Sequence, residues 1–91
     1  MSLTPKEIKE NVDNLEIDPH FERRLKKRNL KLDEVKDYLK NKIPIIIEIN
    51  EFKYKISYRL EKERYLTLYL LKVPKGLKML TVFIEKRIKK V

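Results

Sequence analysis

The only histidine of this 91-residue chain lies at the start of its most basic stretch, which reads HFERRLKKRN over residues 20–29. Imidazole is the one side chain that exchanges a proton near neutral pH without a shift of its pKa. If the stretch is helical, Arg24 lies one turn beyond His20 and Arg28 two turns beyond it. This spacing predicts an acid–base group beside two cations that can bind a phosphate. The alternative is a surface histidine on a solvated, charged helix face.

A second group of candidates alternates with apolar residues along segments 52–60, 65–70 and 77–86, with a period typical of β-strands. One face of the resulting sheet would carry cations interleaved with aromatic rings: Lys53, Lys55, Arg59, Tyr65, Tyr69, Phe83 and Arg87. Cations contact phosphates, and aromatic rings stack on bases with roughly 1–3 kcal/mol per base. Single-stranded RNA suits such a surface because its bases can splay out. The alternative for each ring is ordinary packing against a neighbouring strand.

The residue types argue against several other kinds of site. The chain has no cysteine, so neither a disulfide nor a thiolate metal site can form. A single histidine without a convincing carboxylate cluster speaks against a bound metal. No glycine-rich phosphate loop and no Ser-His-Asp arrangement stands out. We therefore expect neither a metal nor a cofactor.

The net charge of +9 is unevenly distributed along the chain. Residues 1–18 contain two basic and five acidic groups, residues 19–42 nine and four, and residues 43–91 twelve and five. This balance favours an anionic partner, most often a nucleic acid, although a highly charged soluble surface is the alternative. Neither a membrane span nor a signal peptide is recognisable, so we expect a cytoplasmic protein. The abundance of Lys and Glu is typical of thermophiles.

Apolar residues at helical spacing predict three helices, over residues 5–14, 19–28 and 32–40. Thr4 begins a capping box, and Asp18 is a capping side chain followed by proline. The first helix would be either a mobile arm or a cover for one side of the sheet. Asn29 tolerates the left-handed backbone that ends the second helix.

From residue 43 onward the apolar period changes from 3.6 to 2, and the short connections indicate an antiparallel meander. We predict one α+β domain over residues 1–91, with an N-terminal helical arm (1–16), a helical hairpin (19–40) and an antiparallel sheet (43–88). The helices would pack on one face of four antiparallel strands. Strict alternation places Ile56, Leu68 and Val82 toward the helices and Met79 on the other face.

This order of helices and strands, in a short basic chain, resembles the RelE/ParE superfamily of toxin–antitoxin toxins. The segment HFERRLKKRNL over residues 20–30 also resembles a helix of small RelE-related proteins, in which a His-x3-Arg-x3-Arg pattern precedes a turn. Those proteins have a glycine where Asn29 stands here, and a capping Ser or Thr where Lys31 stands. The resemblance implies a RelE-like fold over most of residues 19–88.

The resemblance also implies a metal-independent endoribonuclease that acts on messenger RNA, often on the ribosome, and that an acidic antitoxin inhibits. In such cleavage the ribose 2′-hydroxyl attacks the adjacent phosphate, which requires a proton acceptor, a proton donor and cations. RelE-type toxins use Arg, Lys and Tyr groups on the sheet and near the C-terminus. The candidate catalytic residues are His20, Arg59, Tyr69 and Arg87. The candidate RNA-binding residues are Arg24, Arg28, Lys53, Lys55, Tyr65 and Phe83.

ParE-like relatives act on gyrase instead, so the fold alone does not determine the activity. Two other interpretations remain. One is a non-enzymatic nucleic-acid-binding module such as a winged helix. The other is an interaction protein whose exposed sheet edge or arm forms a homodimer. In the predicted fold the helix candidates and the sheet candidates lie on opposite layers, so they would share a site only at an edge.

Overall fold

The computed structural model describes residues 3–86, which form three α-helices and a five-stranded mixed sheet in an α+β arrangement. The elements in chain order are α1 (Pro5–Glu10), a 3₁₀ helix (Val12–Asn14), β1 (Glu16–Ile17), α2 (Pro19–Lys27), α3 (Leu32–Asn41), β2 (Ile45–Glu48), β3 (Lys53–Arg59), β4 (Tyr65–Val73) and β5 (Gly76–Glu85). Within this part of the chain, no helix is long and apolar enough to cross a membrane.

The first two helices begin at the predicted capping side chains. The Thr4 hydroxyl accepts a hydrogen bond from the Glu7 N–H at 3.2 Å at the start of α1. An Asp18 carboxylate oxygen accepts one from the His20 N–H at 2.8 Å at the start of α2. Asn29 follows α2 with a φ of 55°, a left-handed conformation that asparagine tolerates better than most residues. These contacts confirm the predicted helix starts and the turn before α3.

The sheet has the strand order β1-β5-β4-β3-β2, and β2 to β5 form the predicted antiparallel meander. The prediction of four strands is incomplete, because β1 adds a fifth and pairs in parallel with β5. In that pair Glu16 lies opposite Lys78, and Ile17 lies opposite Met79. A strand of two residues is too short to show a hydrophobic period, so no local pattern marks it. In the described sheet, β1 and β2 are the edge strands.

The core lies between the helices and one face of the sheet, which we call the inner face. Ile56, Leu68 and Val82 are fully buried there, as predicted. Phe21 and Leu25 of α2 belong to the same cluster. Each such side chain contributes roughly 1.5–3 kcal/mol to stability relative to an exposed one. The helices therefore cover the inner face, and the opposite face of the sheet, the outer face, is free of them.

The N-terminal segment is part of this core. Leu3, Ile8 and Val12 are 3%, 1% and 0% exposed. Outside the apolar contact, Lys72 Nζ of β4 lies 3.3 Å from Glu7 Oε1 of α1. Of the two alternatives for this helix, the structure shows the cover and not the mobile arm.

A β-bulge in β5 changes which residues of that strand face the core. The pairing register of β4 and β5 shifts between Tyr69 and Leu70, so Leu80 is an extra residue without an opposite partner. Strict alternation placed Met79 on the outer face, and this is wrong: Met79 is 0% exposed and packs in the core. An inserted residue reverses the facing of everything before it, so Met79 and Val82 share the inner face.

The only glycine begins β5 at a position that no larger residue fits. Gly76 has a φ of 146°, and a Cβ there would lie 2.9 Å from Asn11 Oδ1. The Asn11 amide is held in place, because its Nδ2 donates a hydrogen bond to the Glu7 carbonyl at 2.8 Å. The turn before β5 therefore packs directly against the end of α1.

Candidate nucleic-acid interface

Helix α2 and the residue that ends it present a group of closely spaced cations. Phe21 and Leu25 anchor the helix on the inner face, at 0% and 5% exposure, and this packing turns its opposite side to solvent. The cations, which we call the basic helix patch, are Arg23, Arg24, Lys26, Lys27 and Arg28. All are exposed except Arg24, which is half-buried. Among residues 3–86, none of the five forms an ion pair.

His20 lies at the beginning of this patch, exposed in the first turn of α2. Its Nε2 accepts a long hydrogen bond, 3.4 Å, from Arg24 Nε. The structure thus brings His20 and Arg24 together, and Arg28 follows one turn later at the exposed end of the helix.

The centre of the outer sheet face is occupied by a buried polar network. Lys55 Nζ lies 3.2 Å from Glu85 Oε1, and Thr67 Oγ1 donates a hydrogen bond to the same oxygen at 2.8 Å. The hydroxyl oxygens of Ser57 and Thr67 are 3.0 Å apart. Such a network is stable because each of its buried polar groups has a partner.

This network places Lys55 differently from the prediction. Lys55 is only 2% exposed and its ammonium faces Glu85, so it cannot contact a phosphate at the surface of this structure. Alternation along β3 identifies correctly the face on which Lys55 lies. It does not reveal that neighbouring side chains bury the residue, or that a carboxylate from β5 neutralises it. Lys55 therefore stabilises the outer face and is not an exposed cation on it.

The aromatic rings of the outer face pack on one another and against a lysine. The ring centroids of Tyr69 and Phe83 are 5.8 Å apart, and Lys53 Nζ lies 5.5 Å from the centroid of the Tyr69 ring. Contacts of both kinds stabilise sheets without any ligand. Tyr65, Tyr69 and Phe83 are half-buried, so each keeps part of its ring surface accessible for stacking.

The three predicted catalytic residues within residues 3–86 do not converge on one site. His20 lies on the helical layer, whereas Arg59 and Tyr69 lie on the outer face, and the core separates the two layers. Arg87 lies outside the described residues. The pair on α2 and the residues on the sheet are therefore two separate candidate sites.

Sequence alternation missed a basic pocket at the end of β3. It has a volume of about 410 Å³ and is lined by Tyr38, Lys42, Arg59, Leu60, Glu61 and Arg64. The pocket forms because the end of α3 lies beside the turn between β3 and β4. These two segments are distant from each other in the sequence. Lys42 and Arg64 flank turns, where no period marks a residue as functional, so only Arg59 was among the candidates.

Tyr58 is another feature without a sequence signal. It is 1% exposed and packs on Tyr38, with the ring centroids 5.8 Å apart. Among the described residues its hydroxyl has no hydrogen-bond partner. Burial raises the pKa of the Tyr58 phenol well above its ordinary value of 10.0. A buried hydroxyl without a partner lowers stability by roughly 1–3 kcal/mol.

Residues 3–86 contain no group of three or more His, Asp or Glu side chains that could hold a metal ion. No protein-family model, curated protein or solved structure matches this chain.

Replacing Tyr58 by Phe should preserve or raise the free energy of unfolding at neutral pH, because it removes an unpaired buried hydroxyl. The matched control is Tyr54→Phe. Tyr54 is 0% exposed, but its hydroxyl donates a hydrogen bond to the Glu51 carbonyl at 3.3 Å. This control should lose about 1 kcal/mol. Urea denaturation followed by circular dichroism measures the free energy of unfolding of both variants. A larger loss in Tyr58→Phe than in Tyr54→Phe would contradict the assignment of an unpaired hydroxyl to Tyr58.

The stability of the wild-type protein and that of Tyr58→Phe should respond differently to alkaline pH. The Tyr58 phenol of an unfolded chain ionises near its ordinary pKa of 10.0, whereas the buried phenol keeps its proton. The unfolded state then binds fewer protons, so the free energy of unfolding falls as the pH rises above 10. The fall is at most about 1.4 kcal/mol per pH unit for this group, and Tyr58→Phe should lack it. If the stability curves of wild type and Tyr58→Phe run parallel above pH 10, the Tyr58 phenol is not kept protonated by burial.

Proposed function

We propose that the protein binds RNA through the basic helix patch of α2. The observation that carries this proposal is the set of five adjacent cations that form no ion pair among residues 3–86. A surface that serves only solubility mixes both signs of charge, as α3 does with Asp33, Glu34, Lys36, Asp37 and Lys40. Unpaired cations on one short helix attract a polyanion, and each phosphate that they contact releases counterions.

The choice of RNA over DNA rests on the resemblance of residues 20–30 to a helix of RelE-related proteins. We accordingly propose a RelE-like toxin of a toxin–antitoxin pair, with messenger RNA as the target and an acidic antitoxin as the partner. The α+β arrangement, with helices on one face of a mainly antiparallel sheet, is compatible with such a protein. An acidic partner that covered α2 would compete with RNA for the same cations.

Removing two cations from the basic helix patch should weaken RNA binding and reduce its dependence on salt. Arg23→Ala with Lys27→Ala removes a pair one turn apart on the exposed side of α2. Each lost contact with a single-stranded phosphate lowers the slope of log K against log salt by about 0.7, so the double variant should lose about 1.4. Fluorescence anisotropy with a single-stranded RNA at several salt concentrations gives both slopes.

The matched control is Lys6→Ala with Lys9→Ala, which removes the same charge from exposed positions on α1. It should lower the slope much less. An equal loss in the control would mean that net charge, and not α2, determines binding. Absence of binding by the wild-type protein at low salt would contradict the whole proposal.

RNA cleavage is the second part of the proposal, and the His20–Arg24 pair favours the helix as its site. His20 Nε2 would take the proton of the 2′-hydroxyl as that oxygen attacks the adjacent phosphorus. The bond to the 5′ oxygen then breaks, and the departing oxygen takes a proton from water. Arg24 would release its hydrogen bond to this nitrogen, whose one lone pair must be free to take the proton, and its guanidinium would stabilise the added negative charge on the phosphate. Arg59, Tyr69 and Arg87 are the alternative catalytic set that the resemblance implies.

His20→Ala should reduce the rate of RNA cleavage by a factor of about 10²–10⁴ while changing RNA affinity little, because a general base acts only in the reaction. It should also flatten the pH profile of the rate near neutrality. Arg59→Ala is the comparison, and it should retain most of the rate. The reverse outcome would move the site to the sheet. Wild-type protein that leaves both naked RNA and ribosome-bound messenger intact would defeat the proposal of cleavage.

Self-association is a second candidate function, and the free edge of β2 favours it. Ile43 and Ile45 are 80% and 47% exposed at this edge. The Ile49 N–H donates a hydrogen bond toward β3 at 2.9 Å, and backbone groups alternate in direction along an antiparallel strand. The N–H and C=O groups of Ile46 and Glu48 therefore point away from β3 and are available to another strand.

Two copies of β2 would pair in antiparallel fashion about Ile46, with each Ile46 opposite its equivalent. In this register Ile45 lies opposite Ile47 of the second copy, and Ile43 lies opposite Ile49. The two strands then form one continuous isoleucine row on the outer face. A shift by two residues would leave either Ile43 or Ile49 without an isoleucine partner, depending on its direction, so the sequence itself selects this register.

Ile45→Lys should convert such a dimer to a monomer, because two ammonium groups would be brought into the isoleucine row. Phe52→Lys is the matched control: Phe52 is 55% exposed and lies outside the paired segment. Light scattering on a size-exclusion column measures the mass of each protein. A wild-type protein that remains monomeric at its highest soluble concentration would exclude this function.

A further inference from the structure

The basic pocket lies where the end of α3 meets the turn between β3 and β4. Its walls carry the cations Lys42, Arg59 and Arg64, the carboxylate of Glu61 and the ring of Tyr38. The three cations are exposed, and among residues 3–86 none of them forms an ion pair, although Glu61 lines the same pocket. Together the charged groups leave a formal charge of +2 around a volume of about 410 Å³.

The turn that carries Arg64 has an unusual backbone. Lys62 and Glu63 have φ angles of 54° and 60°. Hairpin turns with two left-handed residues favour Asn-Gly, because a larger side chain is unfavourable there. Two backbone hydrogen bonds close the turn, from Leu60 N–H to the Arg64 carbonyl at 2.8 Å and from Arg64 N–H to the Glu61 carbonyl at 3.3 Å. Strain of this kind is kept where the position of a side chain matters.

We propose that this pocket binds a terminal phosphate of RNA. A terminal phosphate monoester carries close to two negative charges at neutral pH, which matches the charge of the pocket, whereas an internal phosphodiester carries one. The planar guanidinium groups of Arg59 and Arg64 suit bidentate contact with phosphate oxygens. An RNA end can enter a recess, whereas an internal phosphate has chain on both sides and suits an open surface such as α2.

Tyr38 extends the recognised group from a phosphate to a nucleotide. Its ring lines the pocket and is supported by the buried Tyr58 ring, at a centroid distance of 5.8 Å. A half-buried tyrosine beside phosphate-binding cations can stack on a base of any identity. The ligand is therefore the last nucleotide of an RNA chain with its phosphate monoester, and its base can be any of the four.

This inference rests on the proposed binding of RNA and adds a preference for phosphorylated ends. The test compares one short single-stranded RNA in three forms: with a 5′-phosphate, with a 3′-phosphate and with hydroxyls at both ends. Competition measured by fluorescence anisotropy should show at least one phosphorylated form bound about tenfold more tightly than the hydroxyl form. Adenosine 5′-monophosphate and inorganic phosphate, used as competitors, distinguish an RNA end from a free nucleotide or a free ion.

Arg64→Ala and Lys42→Ala should each bring the ratio of the affinity for phosphorylated RNA to the affinity for hydroxyl-ended RNA close to one. They belong to different segments of the chain, one to the β3–β4 turn and one to the end of α3, so a local change in the turn does not account for both effects. The matched control is Lys62→Asn, which removes a cation from the same turn but not from the pocket lining. Asparagine also accepts the positive φ of that position. This control should lower both affinities alike and preserve the ratio.

Equal affinity of the wild-type protein for phosphorylated and hydroxyl-ended RNA would overturn the pocket assignment and leave RNA binding by α2 intact. A preference that survives both Arg64→Ala and Lys42→Ala would overturn it as well. If no form of RNA binds, the proposed function fails. In that case, adenosine 5′-monophosphate that binds wild type but not Arg64→Ala would support a phosphate pocket and overturn its assignment to RNA ends.

Discussion

Burial of the inner sheet face under three short helices is the interaction on which the rest of this structure depends. Phe21 and Leu25 of α2 complete a cluster with Ile56 and Leu68 of the sheet, and none of these four side chains is more than 5% exposed. A short helix that buries one side must expose the other. The packing that stabilises the fold therefore also presents the basic helix patch to solvent, and a change in how α2 packs would change the surface on which its cations lie.

The outer face meets the opposite constraint, because its central polar side chains are buried while none of the helices that the structure describes lies on it. A buried ammonium is costly unless an opposite charge and hydrogen bonds surround it. Lys55 satisfies that condition through Glu85, which in turn accepts a hydrogen bond from Thr67. The centre of the face is therefore electrically balanced. Lys53 and Arg59 lie on β3 outside this network, and Arg59 also lines the basic pocket.

We propose different parts of an RNA chain as the ligands of the two positive regions, the basic helix patch and the basic pocket. The basic helix patch is convex and continuous, which fits a run of phosphates along a chain. The basic pocket lies between the end of α3 and the turn that carries Arg64, which fits the proposed chain end. Irregular backbone also sets local geometry elsewhere in the fold, at the bulge at Leu80 and at the positive φ of Gly76.

Local patterns in the sequence determined the three helices, the four antiparallel strands and the inward row of Ile56, Leu68 and Val82. Caps, turns and hydrophobic periods act over a few residues, so they can be recognised without knowing the fold. The cations of α2 were recognisable as exposed for the same reason, because helical spacing places most of them away from Phe21 and Leu25.

Tertiary structure alone decided the parallel strand β1, the inward facing of Met79 and the basic pocket. Each depends on contacts between different segments of the chain. β1 forms only by pairing with β5, the bulge in β5 is defined by its pairing with β4, and Lys42 lines the pocket together with Arg64 of the β3–β4 turn. The same holds for charge. Alternation along β3 shows on which face Lys55 lies, but whether that cation is free depends on its distance from Glu85, and only the folded chain determines that distance.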